Sequence, residues 1–141
     1  MVRHDNSRKS AKLNELIKEL RELSTTEVSD ALDKLNLAGV ISGLHPIFNV
    51  KIVGPVVTVK VETVRDASIA KLSTGEVLEA ARPGEVIVAS VNGYAGASFW
   101  GELASLAAKM KGIEGLIIDG AIRDAEGIRK IGFPIFARAI T

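Results

Sequence analysis

The sequence predicts an α/β fold, a parallel sheet with crossover helices, on three observations. Short apolar runs at Val86–Ala89, Gly115–Ile118 and Ile135–Ala137 alternate with stretches of helical period. Each run is entered through a turn or stop signal: Arg82-Pro83-Gly84-Glu85 before the first, Gly112 before the second and Gly132 before the third. The resulting order, strand, helix, strand, helix, strand, is what βαβ units produce.

Upstream, Leu13, Leu16, Ile17, Leu20 and Leu23 recur at helical spacing, predicting an amphipathic helix near 10–23 behind a flexible basic leader over 1–9. Ser24-Thr25-Thr26-Glu27 reads as a capping box for a second helix, lined by Val28, Ala31, Leu32 and Leu35 and ended by Gly39. From Val50 to Val64 valine and isoleucine dominate, broken at Gly54-Pro55, which predicts two short strands or one bulged strand. A helical stretch follows from about Asp66 to Ala81, weakened at Gly75. Val91 to Ser98, with its Asn92-Gly93 turn signal, is expected to be a loop on the carboxyl end of a strand, shaping a pocket. A helix from about Gly101 to Lys111 is expected to bury Leu103, Leu106, Ala107 and Met110. A short helix with Ile128 and Ile131 precedes the last strand, and no repeat or second-domain boundary interrupts 1–141, which is read as one domain.

Composition narrows the function classes. The 141 residues, 47% of them apolar, suffice for one core. A net charge of +1 with interspersed signs argues against nucleic-acid binding, which leaves a basic footprint. No apolar run reaches the roughly 18 residues of a membrane span, and no signal peptide opens the chain, so a cytoplasmic protein is expected. With no cysteine, thiolate nucleophiles, disulfides and cysteine zinc sites are absent together. Only His4 and His45 are available, and His45, before Pro46, reads as a turn or packing residue.

Chemistry concentrates where Gly115–Ile118 runs into Asp119-Gly120-Ala121-Ile122-Arg123-Asp124. Arg123 can clamp a carboxylate through two charge-assisted hydrogen bonds, or form an ordinary surface ion pair. Asp124 can cap the helix that follows, or ligate Mg²⁺ or Mn²⁺, which accept one direct carboxylate and keep several waters. Asp119 and Glu102 can hold such waters, although Asp119 can equally cap the turn at Gly120. Gly101-Glu102-Leu103-Ala104 opens a helix, whose first backbone N–H groups suit a carboxylate, while Glu102 also simply favours the helix dipole. Tyr94, Phe99 and Trp100 line a pocket or belong to the core. No nucleotide-binding glycine motif is present.

Ser24-Thr25-Thr26-Glu27-Val-Ser-Asp30, Gly54-Pro55 with Val57-Thr58-Val59, Pro83-Gly84-Glu85-Val86, Trp100-Gly101-Glu102, Asp119-Gly120-Ala121-Ile122-Arg123-Asp124 and Gly132-Phe133-Pro134 occur in the order of one family. Over about Leu23 to Arg138 the chain resembles the 4-hydroxy-4-methyl-2-oxoglutarate aldolases and regulators of ribonuclease E activity. The resemblance implies a three-layer ββα sandwich of the swivelling-domain type with a helical N-terminus, assembled as a homotrimer with sites between subunits. It implies a lyase that acts on 2-oxo acids through a pyruvate enolate, by aldol cleavage, oxaloacetate decarboxylation or both. Asp124 would ligate Mg²⁺ or Mn²⁺, Arg123 would hold the substrate, and the Gly101–Ala104 backbone would receive its carboxylate. Catalytic roles would fall to Arg123, Glu102 and Asp119. Glu102 stands where better-characterised aldolases have aspartate. Relatives also continue past the position of Thr141 into strands and a helix that can lend an acidic residue to a neighbouring site, so reduced activity is expected of the chain without them. The family's other branch offers the alternative of a non-catalytic regulator that binds a ribonuclease.

Overall fold

The structure, a computed structural model, describes residues 3–61 and 73–141. The chain divides into two compact units, Met1–Ser42 and Gly43–Thr141.

The first unit holds two helices, α1 (Arg3–Glu22) and α2 (Thr25–Lys34). The predicted capping box is present: Glu27 N–H donates to Ser24 Oγ at 3.2 Å, and the Glu27 carboxylate accepts from Ser24 N–H at 2.7 Å. α2 ends five residues before Gly39. Asn36 takes the left-handed conformation (φ 53°), with Asn36 N–H donating to Asp33 O and Leu37 N–H to Leu32 O. That is a Schellman stop in which asparagine stands in for glycine, the substitution its short amide tolerates best.

In the second unit the strands are β1 (His45–Pro46), β2 (Val56–Lys60), β3 (Val86–Ser90), β4 (Ser98–Trp100), β5 (Gly115–Ile122) and β6 (Ile135–Ile140). They form one sheet in the order β1-β6-β5-β3-β2, parallel except for β1, with β4 pairing β5 off this path. The helices α3 (Thr74–Ala80), α4 (Glu102–Lys111) and α5 (Ala125–Ile131) connect successive parallel strands. The predicted α/β fold is therefore present. Each step across the sheet runs in the same direction, so right-handed crossovers bring α3, α4 and α5 to one face.

Register confirms which face that is. Val57, Ile87, Leu116 and Ile135 form one cross-strand row, and Val59, Ala89, Ile118 and Ala137 another; all belong to or pack against the core. Alternate positions form Thr58, Val88, Ile117 and Phe136, which are not in the core cluster. Strand pleat sends these to the opposite face. Val77, Ala108, Ile128 and Phe133 close the core from the helix side.

Several expectations are corrected. Of Val50–Val64, only Val56–Lys60 is strand within the described residues, and 62–64 lie outside them. Pro55 has no N–H to give a ladder and instead accepts from Val86 N–H at 2.7 Å. The helix expected from Asp66 begins, within the described residues, at Thr74; positions 66–72 lie outside them. Ser73 and Glu76 form a capping box at the start of this helix. The 91–97 loop is as expected, with Asn92 and Gly93 both left-handed, but it ends in the unexpected strand β4.

The largest correction concerns α4. It buries Ser105 and Ala108 and leaves Leu103 and Met110 each 81% exposed and Leu106 42% exposed. The stripe Leu103, Leu106, Ala107, Met110 has the right period for a buried face, but the small side chains opposite it let the helix lie close to the sheet.

Candidate active site

Four of the residues singled out from sequence meet where β5 ends and α4 and α5 begin. Asp124 is the N-cap of α5 in the left-handed conformation (φ 61°), and its carboxylate makes no cap bond to its own helix. It turns to α4 instead: Oδ2 accepts from Glu102 N–H at 3.3 Å and lies 3.5 Å from Arg123 Nε. A non-glycine residue held at positive φ is a mild strain that persists only when its surroundings hold it. Here β5 on one side and α5 on the other fix the backbone, and the carboxylate gains a first-turn N–H of α4.

Gly101 is extended and caps α4 without a side chain. A Cβ there would lie 2.8 Å from Asp124 Oδ2 and 3.0 Å from Arg123 Nε, so glycine lets both side chains approach the helix start and a larger residue would push them away. Glu102 leaves the first turn of α4 and reaches α5, where its carboxylate rests on Gly127. Each carboxylate thus sits against the other helix. Leu103 and Ala104 contribute backbone N–H groups of the same first turn, which have no intrahelical acceptor.

The β5–α4 junction is tied from within. Arg123 N–H donates to Trp100 O at 3.0 Å, and Ser98 Oγ donates to the same carbonyl at 2.8 Å. Trp100 Nε1–H donates to Ser105 Oγ at 2.9 Å, and that hydroxyl donates to Gly101 O at 2.9 Å. Trp100 is also stacked on Phe133 with centroids 6.4 Å apart, so it is core rather than pocket lining, whereas Tyr94 is half-exposed. Ser105→Ala would leave the buried indole N–H without its acceptor. A loss of about 1–3 kcal/mol is expected, measured by chemical denaturation, where an unchanged midpoint would refute it.

Asp119 goes elsewhere. It lies on the face of the sheet opposite the core, paired in register with Ser90, and its carboxylate accepts from Arg138 Nε at 2.6 Å while Arg138's terminal nitrogen pairs with the same oxygen. The structure therefore gathers Gly101, Glu102, Arg123 and Asp124, and places Asp119 with Arg138. Arg138 has no part in the sequence-based expectation; it follows buried Ala137 in β6, beside the irregularity in the β5–β6 register between Ile118 and Ala121. Lys109 and Lys111 sit at the far end of α4 and donate to carbonyls of Ile131 and Leu78.

The cluster is open rather than enclosed. Arg123 and Asp124 are largely solvent-accessible, and the concavity lined by Asp33, Asn36, Leu37 and Ala38 at the end of α2 contains none of the candidate groups. Among the described residues no three acidic or histidine side chains converge as a closed metal site. The accessible Asp124 carboxylate is compatible with Mg²⁺ or Mn²⁺, which can bind through one carboxylate, substrate oxygens and retained water. No described helix is long and apolar enough to cross a membrane.

Residues 25–141 match the family model described as RraA-like: Aldolase/RraA. A provisionally named 4-hydroxy-4-methyl-2-oxoglutarate aldolase of Halalkalibacterium halodurans is 38% identical over 128 residues, 90% of this chain and 58% of the relative. The crystal structure of an uncharacterised Pseudomonas syringae protein superposes with a TM-score of 0.81 at 30% identity, covering 91% of this chain and 57% of that one. Streptomyces coelicolor RraAS2, described as an unusual member of the RNase ES inhibitor RraA family, superposes with a TM-score of 0.80 at 29% identity, covering 90% and 64%. This chain thus spans less than two thirds of the length of each. By the family model, the aldolase-like relative and the shared fold together, the chain belongs to the RraA-like aldolase/RraA family.

Proposed function

We propose that the protein is a divalent-metal-dependent carbon–carbon lyase acting on small 2-oxo acids, with Arg123, Asp124, Glu102 and the first turn of α4 as its site. The observation that supports this most is the convergence of the Arg123 side chain, the Asp124 carboxylate and the N-terminus of α4 around Gly101, where a Cβ would crowd both side chains. The Arg123 guanidinium and the Gly101–Ala104 backbone present donors to one carboxylate of the substrate. Asp124, kept in place by Glu102 N–H, would hold Mg²⁺ or Mn²⁺. When bound, such a cation supplies Lewis-acid polarisation of the 2-oxo group, the chemistry that favours a pyruvate enolate. Arg123 adds positive charge where the enolate develops. Aldol cleavage also needs a proton acceptor for the substrate hydroxyl, and Glu102, beside Asp124, serves better than Asp119, which is ion-paired with Arg138 on the other face. Both lysines of α4 are bonded to carbonyls remote from Gly101, so the reading involves no Schiff base.

The direct experiment is release of pyruvate from oxaloacetate and from 4-hydroxy-4-methyl-2-oxoglutarate, with Mg²⁺ or Mn²⁺ and with a chelator. Metal-dependent release of pyruvate is expected. A folded protein that releases none and binds neither pyruvate nor oxalate would point to the regulatory branch, to which the Streptomyces relative's description belongs, and to a ribonuclease partner.

A homotrimer is proposed with the α4 stripe as its contact. Leu103 starts the stripe inside the site's own first turn, so a second copy laid along Leu103, Leu106, Ala107 and Met110 would border Arg123 and Asp124. An exposed apolar face of this kind is ordinarily an association surface. Met110→Glu, far from the site along the helix, is expected to shift the species from trimer toward monomer in light scattering and to reduce turnover with it. A stable wild-type monomer at micromolar concentration would contradict the assembly.

A further inference from the structure

We propose that Gly127 is a positioning residue for Glu102, leaving room for its carboxylate against α5 so that it stands ready as proton acceptor without filling the start of α4. The proposal rests on the lyase reading above for its functional meaning, but its structural basis is separate.

Gly127 lies inside α5, and it is not among the glycines at positive φ, so backbone conformation does not demand glycine there. It is the third residue of α5, in the first turn, where glycine still favours the helix less than alanine does. What it provides is space. A Cβ at position 127 would lie 2.2 Å from Glu102 Oε2, 2.3 Å from its Cδ and 2.8 Å from Oε1. Those distances describe a carboxylate lying against the glycine Cα, and a side chain at 127 would move the flexible end of Glu102 off it. Asp124 already occupies the Glu102 N–H at the opening of α4. A second carboxylate released there would repel Asp124 and compete with a substrate carboxylate for the same donors. The bare surface of α5 therefore separates the two acidic groups: Asp124 toward α4, Glu102 toward α5. The longer glutamate at position 102 needs this berth, because an aspartate is one methylene too short to reach it in the same way.

The experiment is a double-mutant cycle on the full chain with Gly127→Ala and Glu102→Asp, reading melting temperature, aldol cleavage and oxaloacetate decarboxylation. Aldol cleavage requires the proton acceptor and decarboxylation does not. Gly127→Ala is expected to lower kcat for aldol cleavage about 10-fold relative to decarboxylation, with KM within about twofold, which is the order of effect for a displaced acid–base group. In the Glu102→Asp background the same substitution should change that ratio by less than about twofold. Alanine should also raise the melting temperature more in the Glu102→Asp background than beside the native Glu102, since only with the shorter carboxylate is its helical preference gained without moving an acidic group.

An unchanged ratio in Gly127→Ala, or an equal loss in both backgrounds, would overturn the proposal. So would wild-type decarboxylation without detectable aldol cleavage, while leaving the lyase reading in place. A wild-type chain with neither activity would remove the lyase reading, and the melting temperatures would still decide the contact: coupling between 102 and 127 upholds it, additivity refutes it.

Discussion

Asp124→Asn is expected to abolish metal-dependent release of pyruvate while leaving the fold nearly unchanged. The two halves of that expectation have separate causes. Asparagine is as tolerant of the left-handed conformation at φ 61° as aspartate, and its amide oxygen can still accept from Glu102 N–H, so the β5–α5 junction and the start of α4 keep their geometry. What is lost is the negative charge, and with it the carboxylate proposed to hold the cation. A Lewis acid contributes several kcal/mol at the transition state, so its loss corresponds to roughly 10²–10³-fold or more in rate. Pyruvate release and thermal melting should be followed on one preparation, with Mn²⁺ titrated in parallel. Wild-type turnover in the variant would remove Asp124 from the metal site. A large fall in melting temperature would mean that the charge itself, through Arg123 and the α4 terminus, holds the junction together.

Arg123→Lys should weaken inhibition by oxalate or pyruvate by about 10- to 100-fold, since one charge-assisted hydrogen bond to a carboxylate accounts for about 1.5–3 kcal/mol. The charge is retained, so a purely electrostatic role for Arg123 predicts almost no effect. The planar fork is what the lysine lacks. Arg123 also has its backbone N–H fixed on Trp100 O and its Nε near Asp124, while most of the side chain stays exposed. Little loss of stability is expected, because the side chain is largely solvated and its pairing with Asp124 is a surface ion pair. Unchanged inhibition constants would show that the carboxylate is held elsewhere.

Much of this protein is legible along the chain because its signals are local. The capping box at Ser24–Glu27, the turn at Asn92-Gly93, the glycine stops at 112 and 132 and the apolar runs at β3, β5 and β6 each need only neighbours within a few residues to take effect. The convergence of Gly101 with Arg123 and Asp124 was also foreseeable, since a strand end followed by a helix start is where a parallel sheet exposes backbone donors. Tertiary packing decided the rest. A helical period shows that α4 has a face but not which face is buried, and the sheet accepted the small residues Ser105 and Ala108 in place of the apolar stripe. Pleat parity put Asp119 on the face away from the core, where Arg138, nineteen residues along, neutralises it. Neither the reach of Glu102 to Gly127 nor the turning of Asp124 from its own helix to α4 has a sequence signature, because both depend on α4 and α5 lying side by side. Residue types and short spacings thus determined the elements and the chemical inventory of the site. Only the three-dimensional placement of two helix starts determined which carboxylates share it.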